Sequence, residues 1–504
     1  MMFENMEYVL GYVYEQMVGR NVVLLFAISL CATYGLWRRR RADLPPGPWG
    51  LPYFGVVPYF FLVEWLFGLQ RHEILENFGA KYGKIFSFTA FGRLVVVLND
   101  GQTIKEVYQL QELNDRPRMK INNQSLGKGV AFASGDCWKE QRRFTIKTLD
   151  RLGAGKAIHE EKLSEEASAL LGEIEALDGK AFDPKHHMMI CVSNIITSML
   201  YSRRHEYNDA EYRDFLDTIA EITHLMGTAG AMPTTPILKH LKLPQGKRLS
   251  DNIIAEMRYM KRIVRERQAS HDPSGDPRDF TDAYLSEIPN KELTHLSHGN
   301  LTHTLIHVFS AGTENISTTL RWALLYMIAH PDVQARVQEE LDRVVGQDRM
   351  PKLSDEASLP YTQATLLELQ RMSTVAPLGV AHMSSADAKY RGYTIPARTA
   401  VIPNIWAIHY NPKVWDEPFK FNPGRFLDEQ DKVKGAEGVV SFSAGNRVCI
   451  GRHLARMEMY TFLTHLLHKF SFQKADCSPP LSLKGSGSFA RVPDQYFLHA
   501  VKRF

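Results

Sequence analysis

The stretch from Leu305 to Met327 is apolar almost all round at helical spacing. A helix without a polar face must be buried, so the rest of the chain has to pack around it. The middle of the stretch breaks the pattern. Thr313, Glu314 and Asn315, then Ser317, Thr318 and Thr319, interrupt the apolar run just after Gly312. A glycine inside a helix costs about 1 kcal/mol against alanine, and buried polar groups are costly unless paired. Close approach of a bound group to this stretch supplies a reason for both. Ala311 and Asn315, four residues apart, share one helix face.

The remainder fits a mostly α chain with a small β portion. The 504 residues are 44% hydrophobic and 23% charged, a globular balance that excludes wholesale disorder and fibres. Sixty basic against 56 acidic residues is too even for a nucleic-acid binder. The five cysteines are scattered and lack zinc-site or disulfide-scaffold spacing, which points to a reduced, cytosol-facing body. Thr145 to Leu177 and Leu249 to Gln268 have amphipathic helical spacing. Gly83 to Asn99 and Tyr390 to Asn404, β-branched and aromatic, read as hairpins. Ala231 to Pro244, Ser270 to Asp279 and Asp428 to Gly438 read as loops. No internal repeat or low-complexity linker divides the chain after residue 43, so residues 44–504 are expected to form one body.

Residues 1–43 have another character. Val22 to Trp37 is uncharged and mostly apolar, and Arg38 to Arg41 follow at once. As a helix the run is roughly 24 Å long, a little short of a hydrocarbon core of about 30 Å. Positive charge on its C-terminal side predicts a single-pass anchor with the body in the cytosol, the reverse of a cleaved signal peptide. The proline-rich Leu44 to Pro52 is a stiff spacer. Tyr53 to Leu69, aromatic and apolar, suits either a membrane surface or ordinary packing.

The sharpest local feature runs from Phe442 through Gly445, Arg447 and Cys449 to Gly451, ahead of a helical pattern at Leu454, Met457, Tyr460 and Phe462. A thiolate near a helix N-terminus is stabilised by the dipole and free amides. The glycines admit close approach of something bulky and flat. Arg447 suits an anionic group on the same ligand.

This segment resembles the haem-binding loop of the cytochrome P-450 (haem-thiolate monooxygenase) family, of the microsomal animal type, and further landmarks carry the resemblance from the anchor to Phe504. It implies haem b with Cys449 thiolate as axial ligand. Glu368 and Arg371 match the family's E-x-x-R pair, and Phe421 to Phe426 matches its F-x-P-x-R-F segment. Glu368, Arg371 and Arg425 are then structural, behind the cysteine loop. Trp138 and Arg142, a W-x-x-x-R pair on one helix face, and His382 match positions that contact the haem propionates.

Ala311-Gly312-Thr313-Glu314 matches the family's oxygen-activation segment, but Asn315 stands where the family usually has threonine. A hydroxyl both donates and accepts; an amide has fixed donors and a fixed acceptor and is a poor proton relay. By family position the pocket includes Phe132, Phe309, Ala311, Leu378, Val380 and Phe489. Lys139, Arg143, Lys147, Arg452 and Arg456 correspond to a face that meets a flavoprotein reductase.

The resemblance thus implies a membrane enzyme, expected in the endoplasmic reticulum. It would insert one atom of O2 into a lipophilic steroid, fatty acid or xenobiotic, with NADPH electrons arriving through that reductase. Asn315 keeps open a haem-thiolate isomerase, lyase or dehydratase that needs no reductase. A non-catalytic haem sensor or carrier is the remaining alternative.

Overall fold

In the computed structural model the described residues are 43–117, 120–121, 124–125, 127–153, 157–229, 244–487 and 489–504, with 21–25, 27–32 and 35. Arg38 to Arg41 and most of the Ala231 to Pro244 segment lie outside them. So does part of the Val22 to Trp37 run. Its described residues are helical, with Val22, Val23, Leu24, Leu25, Ile28 and Leu30 exposed. Among the described residues, no helix is long and apolar enough to cross a membrane.

The spacer packs along the first strand of a small sheet: Ser87 donates its backbone N–H to Pro46 O at 2.7 Å and its hydroxyl to Pro45 O at 2.6 Å. Helix α1 (Val57–Phe67) buries only Val63 and leaves Tyr59, Phe61, Leu62, Trp65, Leu66 and Phe67 exposed. Helix α2 (Arg71–Tyr82) follows. The hairpin expected at 83–99 forms from β1 (Ile85–Ala90) and β2 (Arg93–Leu98), and positive φ at both Phe91 and Gly92 matches the right-handed twist of its strands.

The second expected hairpin is a different structure. Arg391 and Gly392 turn a shorter ladder of residues 388–390 against 393–395. Residues 400–403 then leave it. They form β4 (Ala400–Pro403), parallel to β2 and antiparallel to β3 (His382–Met383), giving the order β1-β2-β4-β3. Pro396 ends the ladder because it has no N–H to continue it.

The helical part is built on α3 (Gly135–Arg151), α4 (Ala157–Glu175), α5 (Lys185–Tyr201), α6 (Ala210–Ala229), α7 (Pro244–Ala269), α8 (His298–Ala329), α9 (Pro360–Ser373) and α10 (Arg452–Lys469). The amphipathic 145–177 stretch belongs to two helices, divided after Leu152 where Gly153 takes φ 87°. Helix α8 is the central one. Its N-cap Ser297 accepts from the Asn300 amide, and its 32 residues span roughly 48 Å. It packs on α5, α7, α9 and α10, with Leu305, Phe309, Leu320, Trp322, Leu324 and Met327 at most 1% exposed in the main core.

Candidate functional site

The cysteine loop is shaped by its own backbone. Ser443 and Gly445 adopt φ 61° and 74°, and Gly445–Arg447 form a single 3₁₀ turn. Cys449 N–H then closes the loop onto Phe442 O at 3.1 Å, and the Phe442 ring carries the Arg456 guanidinium at 5.5 Å. Gly445 must be glycine because a Cβ there would lie 2.2 Å from Tyr108 O. Its close approach is therefore to the chain, not to a flat ligand, and a Cβ at Gly451 would meet open space.

Gly451 is the N-cap of α10, two residues beyond the cysteine. The Cys449 side chain keeps accessible surface. Burial pushes its thiol up, against the Gly451 amide and the charges of Arg142 and Arg452, which favour the thiolate.

Around this loop the fold gathers cations. Arg142 on α3 donates to Val448 O at 2.7 Å. Arg447 is buried, and donates to Asn114 O, Ala131 O and Ala133 O at 2.5–3.1 Å while lying 4.1 Å over the Trp138 ring. Arg116 donates to Ala131 O, Val380 O and Ala381 O. Among the described residues none of the three forms an ion pair within 4.0 Å. Burial, with repulsion from Arg116 and Arg142, holds Arg447 down to about 8; burial takes Arg116 down to about 10.

His382 stacks on Tyr108 at 3.7 Å and donates from Nδ1 to Leu113 O at 2.7 Å. Burial, Arg116 and Arg447 depress its pKa. The Trp138 indole N–H is buried without a partner. Crowded cations and an orphaned donor beside a thiol fit a metal-bearing ligand with carboxylate groups.

Behind the loop lies an ion network. Glu368 and Arg371 are both fully buried, with Arg371 Nε on Glu368 Oε2 at 2.7 Å and Nη2 on Oε1 at 2.8 Å. Arg425 Nε and the Asn422 amide reach the same Oε1 at 3.0 and 2.9 Å. Arg371 Nη1 donates to His409 O and Pro418 O, at 2.7 and 2.8 Å. The three residues expected to be structural therefore meet at one carboxylate.

On α8 the accessible stripe is Val308, Ala311, Asn315 and Thr319. Phe309, expected in the pocket, is fully buried and stacks on Phe215 instead. Two positions from Ala311 is about 200° of helix, which turns Phe309 to the opposite face. Phe132, Leu378 and Phe489 are partly exposed and Val380 is exposed. Asn315 donates one Nδ2 N–H to Ala311 O at 2.9 Å, which ties its amide to its own helix and leaves the second N–H and the carbonyl oxygen for a ligand.

Glu314 points elsewhere. It is buried, its Oε2 has no partner, and burial raises its pKa against the opposing charges of Arg321 and Lys185. Gly312 has a packing reason: a Cβ there would meet Ile196 of α5 at 2.8 Å. Lys139, Arg143, Lys147, Arg452 and Arg456 are all exposed.

Arg116 and His409 escaped sequence reasoning, since a lone Arg before Pro117 and a lone His before Tyr410 carry no spacing signal.

A thiol held ahead of a helix, ringed by buried arginines and backed by a shared-carboxylate network, defines a haem-thiolate site. The family model described as Cytochrome P450 matches residues 45–500, and the chain belongs to that family. The chain is 38% identical over 498 residues to vitamin D(3) 25-hydroxylase of Sus scrofa, covering 96% of this chain and 97% of that protein. It is 35% identical over 490 residues to cytochrome P450 2J5 of Mus musculus, covering 96% and 95%. To cytochrome P450 2J2 of Homo sapiens it is 36% identical over 494 residues, covering 96% of each. The chain is thus a monooxygenase, an oxidoreductase with haem under a cysteine thiolate, using a small-molecule substrate, O2 and electrons from a redox partner.

Proposed function

We propose that this chain oxidises a lipophilic small molecule at the endoplasmic reticulum membrane, drawing NADPH electrons through a flavoprotein reductase, with the Cys449 thiolate as the residue that would hold the haem iron. The observation that carries the reading is the set of buried, unpaired cations around the Cys449 loop, with the Trp138 N–H among them. Bound haem supplies oxygen activation, one oxygen atom entering the substrate and the other leaving as water.

The chain's own residues do the rest. The Gly451 amide and the charges of Arg142 and Arg452 favour the charged form of the Cys449 sulfur against its burial, and a bound iron would supply the rest of that stabilisation. Arg142, Arg447, Arg116 and Trp138 would hold the haem carboxylates, and His382, fixed on Leu113 O, would orient that corner. Asn315, with one amide N–H engaged by Ala311 O, presents its carbonyl oxygen and second N–H to hold a water or a substrate hydroxyl. Phe132, Val308, Ala311, Val380 and Phe489 give the substrate space apolar walls.

The exposed aromatic face of α1 and the apolar run that precedes it in the sequence support membrane seating, and the exposed cations of α3 and α10 support reductase docking. The amide at Asn315, a poorer proton relay than a hydroxyl, favours as second reading a haem-thiolate isomerase that needs no reductase.

Turnover with NADPH and a flavoprotein reductase under isotopically labelled dioxygen tests the proposal. Label in the oxidised lipophile is the expected result. Rearrangement of a lipid hydroperoxide without NADPH, and no labelled product, would establish the second reading instead.

A further inference from the structure

His307 lies one turn before Ala311 on α8, so the two share a face. Its Nδ1 accepts the Ala131 N–H at 3.3 Å, and its ring meets the Phe132 ring edge-on with centroids 5.0 Å apart. Burial and the neighbouring His303 hold its pKa down to about 3, so the ring is neutral at physiological pH. A neutral imidazole that accepts at Nδ1 carries its proton on Nε2.

His307 nevertheless keeps accessible surface, as do Val308, Ala311 and Asn315 along the same helix and Phe132 beside it. A ring desolvated by its surroundings and still accessible faces interior space, the space those neighbours line. Its orientation is held from behind. The Ala131 carbonyl accepts from Arg116 Nε at 3.3 Å and Arg447 Nη1 at 3.1 Å, so the residue whose amide holds Nδ1 is anchored through its own carbonyl. The donor is therefore preorganised, and it stands among apolar walls where a matched acceptor counts most.

We propose that His307 Nε2 is a specificity-determining hydrogen-bond donor. The substrate it selects is a lipophile with a carbonyl, ether or hydroxyl oxygen about 6–12 Å from the carbon that is oxidised. That span is the rise from His307 to Ala311 and Asn315, at about 1.5 Å per residue. The assignment rests on the oxidising function proposed above.

The test uses the haem-loaded enzyme and two matched probes, androstanone and its parent hydrocarbon androstane, with affinities read from the shift of the haem absorption band. In His307→Phe the affinity ratio of ketone to hydrocarbon is expected to fall roughly three- to tenfold, the worth of one neutral hydrogen bond. His307→Gln, which offers both an acceptor to Ala131 and a donor, is expected to restore most of it. If the Phe variant does not fold, histidine methylated on Nε2 replaces it, since it keeps the Ala131 contact and lacks the donor.

An unchanged ratio in the variant lacking the donor overturns the proposal. So does an equal loss for both probes, which a purely structural role would produce. Failure of the oxidising reading shows separately, as wild-type protein that binds both probes and oxidises neither.

Discussion

Val440 donates its backbone N–H to His409 Nε2 at 3.0 Å, and through this bond the ion network reaches the segment that enters the cysteine loop. His409 Nδ1 donates to Thr374 Oγ1 at 2.9 Å, Thr374 donates in turn to Arg371 O, and His409 O accepts from Arg371 Nη1. The carboxylate of Glu368 and the backbone three residues before Ser443 are thus two ends of one hydrogen-bonded chain. Burial and Arg371 hold His409 down to about 3, so it is a neutral strut.

His409→Phe leaves the buried Val440 amide without a partner and removes the donor to the buried Thr374 hydroxyl, which keeps only its bond to Arg371 O. A loss of roughly 2–4 kcal/mol in stability is expected, with faster haem release, read from the denaturation midpoint and from haem transfer to an acceptor apoprotein. Because the folded pKa lies below the usual 6.5, the unfolded chain binds this proton first as pH falls. The His409 contribution is present above about pH 6.5 and fades towards pH 3. A His409→Gln variant should show a shallower acid slope over that window.

Glu256 of α7 gives the opposite slope. It is buried against α8, accepts a hydrogen bond from Ser310, and is raised by burial to about 7 from 4.5. The native state binds this proton more tightly than the unfolded chain. Its stabilising effect is full below about pH 4.5 and is lost as pH rises to about 7. Glu256→Gln is expected to remove that decline and to be about 2–3 kcal/mol more stable than wild type near pH 8. Melting temperature against pH measures it.

Removing either end of the shared-carboxylate network leaves a buried charge unpaired. Arg371→Leu and Glu368→Leu should each cost roughly 3–5 kcal/mol, and the double variant less than their sum. Equal additivity in urea unfolding would show that the two side chains do not act together.

Asn315→Thr replaces an amide, with fixed donors and a fixed acceptor, by a hydroxyl able to relay a proton. Tighter coupling of NADPH consumption to product is expected, with substrate affinity changed little. Equal coupling in both proteins would remove the relay argument.

Much of this arrangement was legible in the residues. The apolar girth of α8 placed it at the centre, and Glu368, Arg371 and Arg425, picked out by their spacing and segment, meet at one carboxylate. What was not legible depends on partners distant in sequence. Phe309 was assigned to the pocket although its two-residue offset from Ala311 sets it on the far face, against Phe215. Residues 400–403 carried strand composition, but their partner is β2, three hundred residues earlier, and no local pattern encodes that pairing. Arg116 and His409 act through backbone carbonyls and amides, which have no side-chain signature.

The axial role of the cysteine is tested most directly by the carbon monoxide difference spectrum of reduced protein, wild type beside Cys449→Ser. Wild type is expected to give the strongly red-shifted Soret band of a thiolate-ligated haem, and the serine variant, with haem still bound, to lack it. A serine variant with the same band as wild type would contradict the assignment.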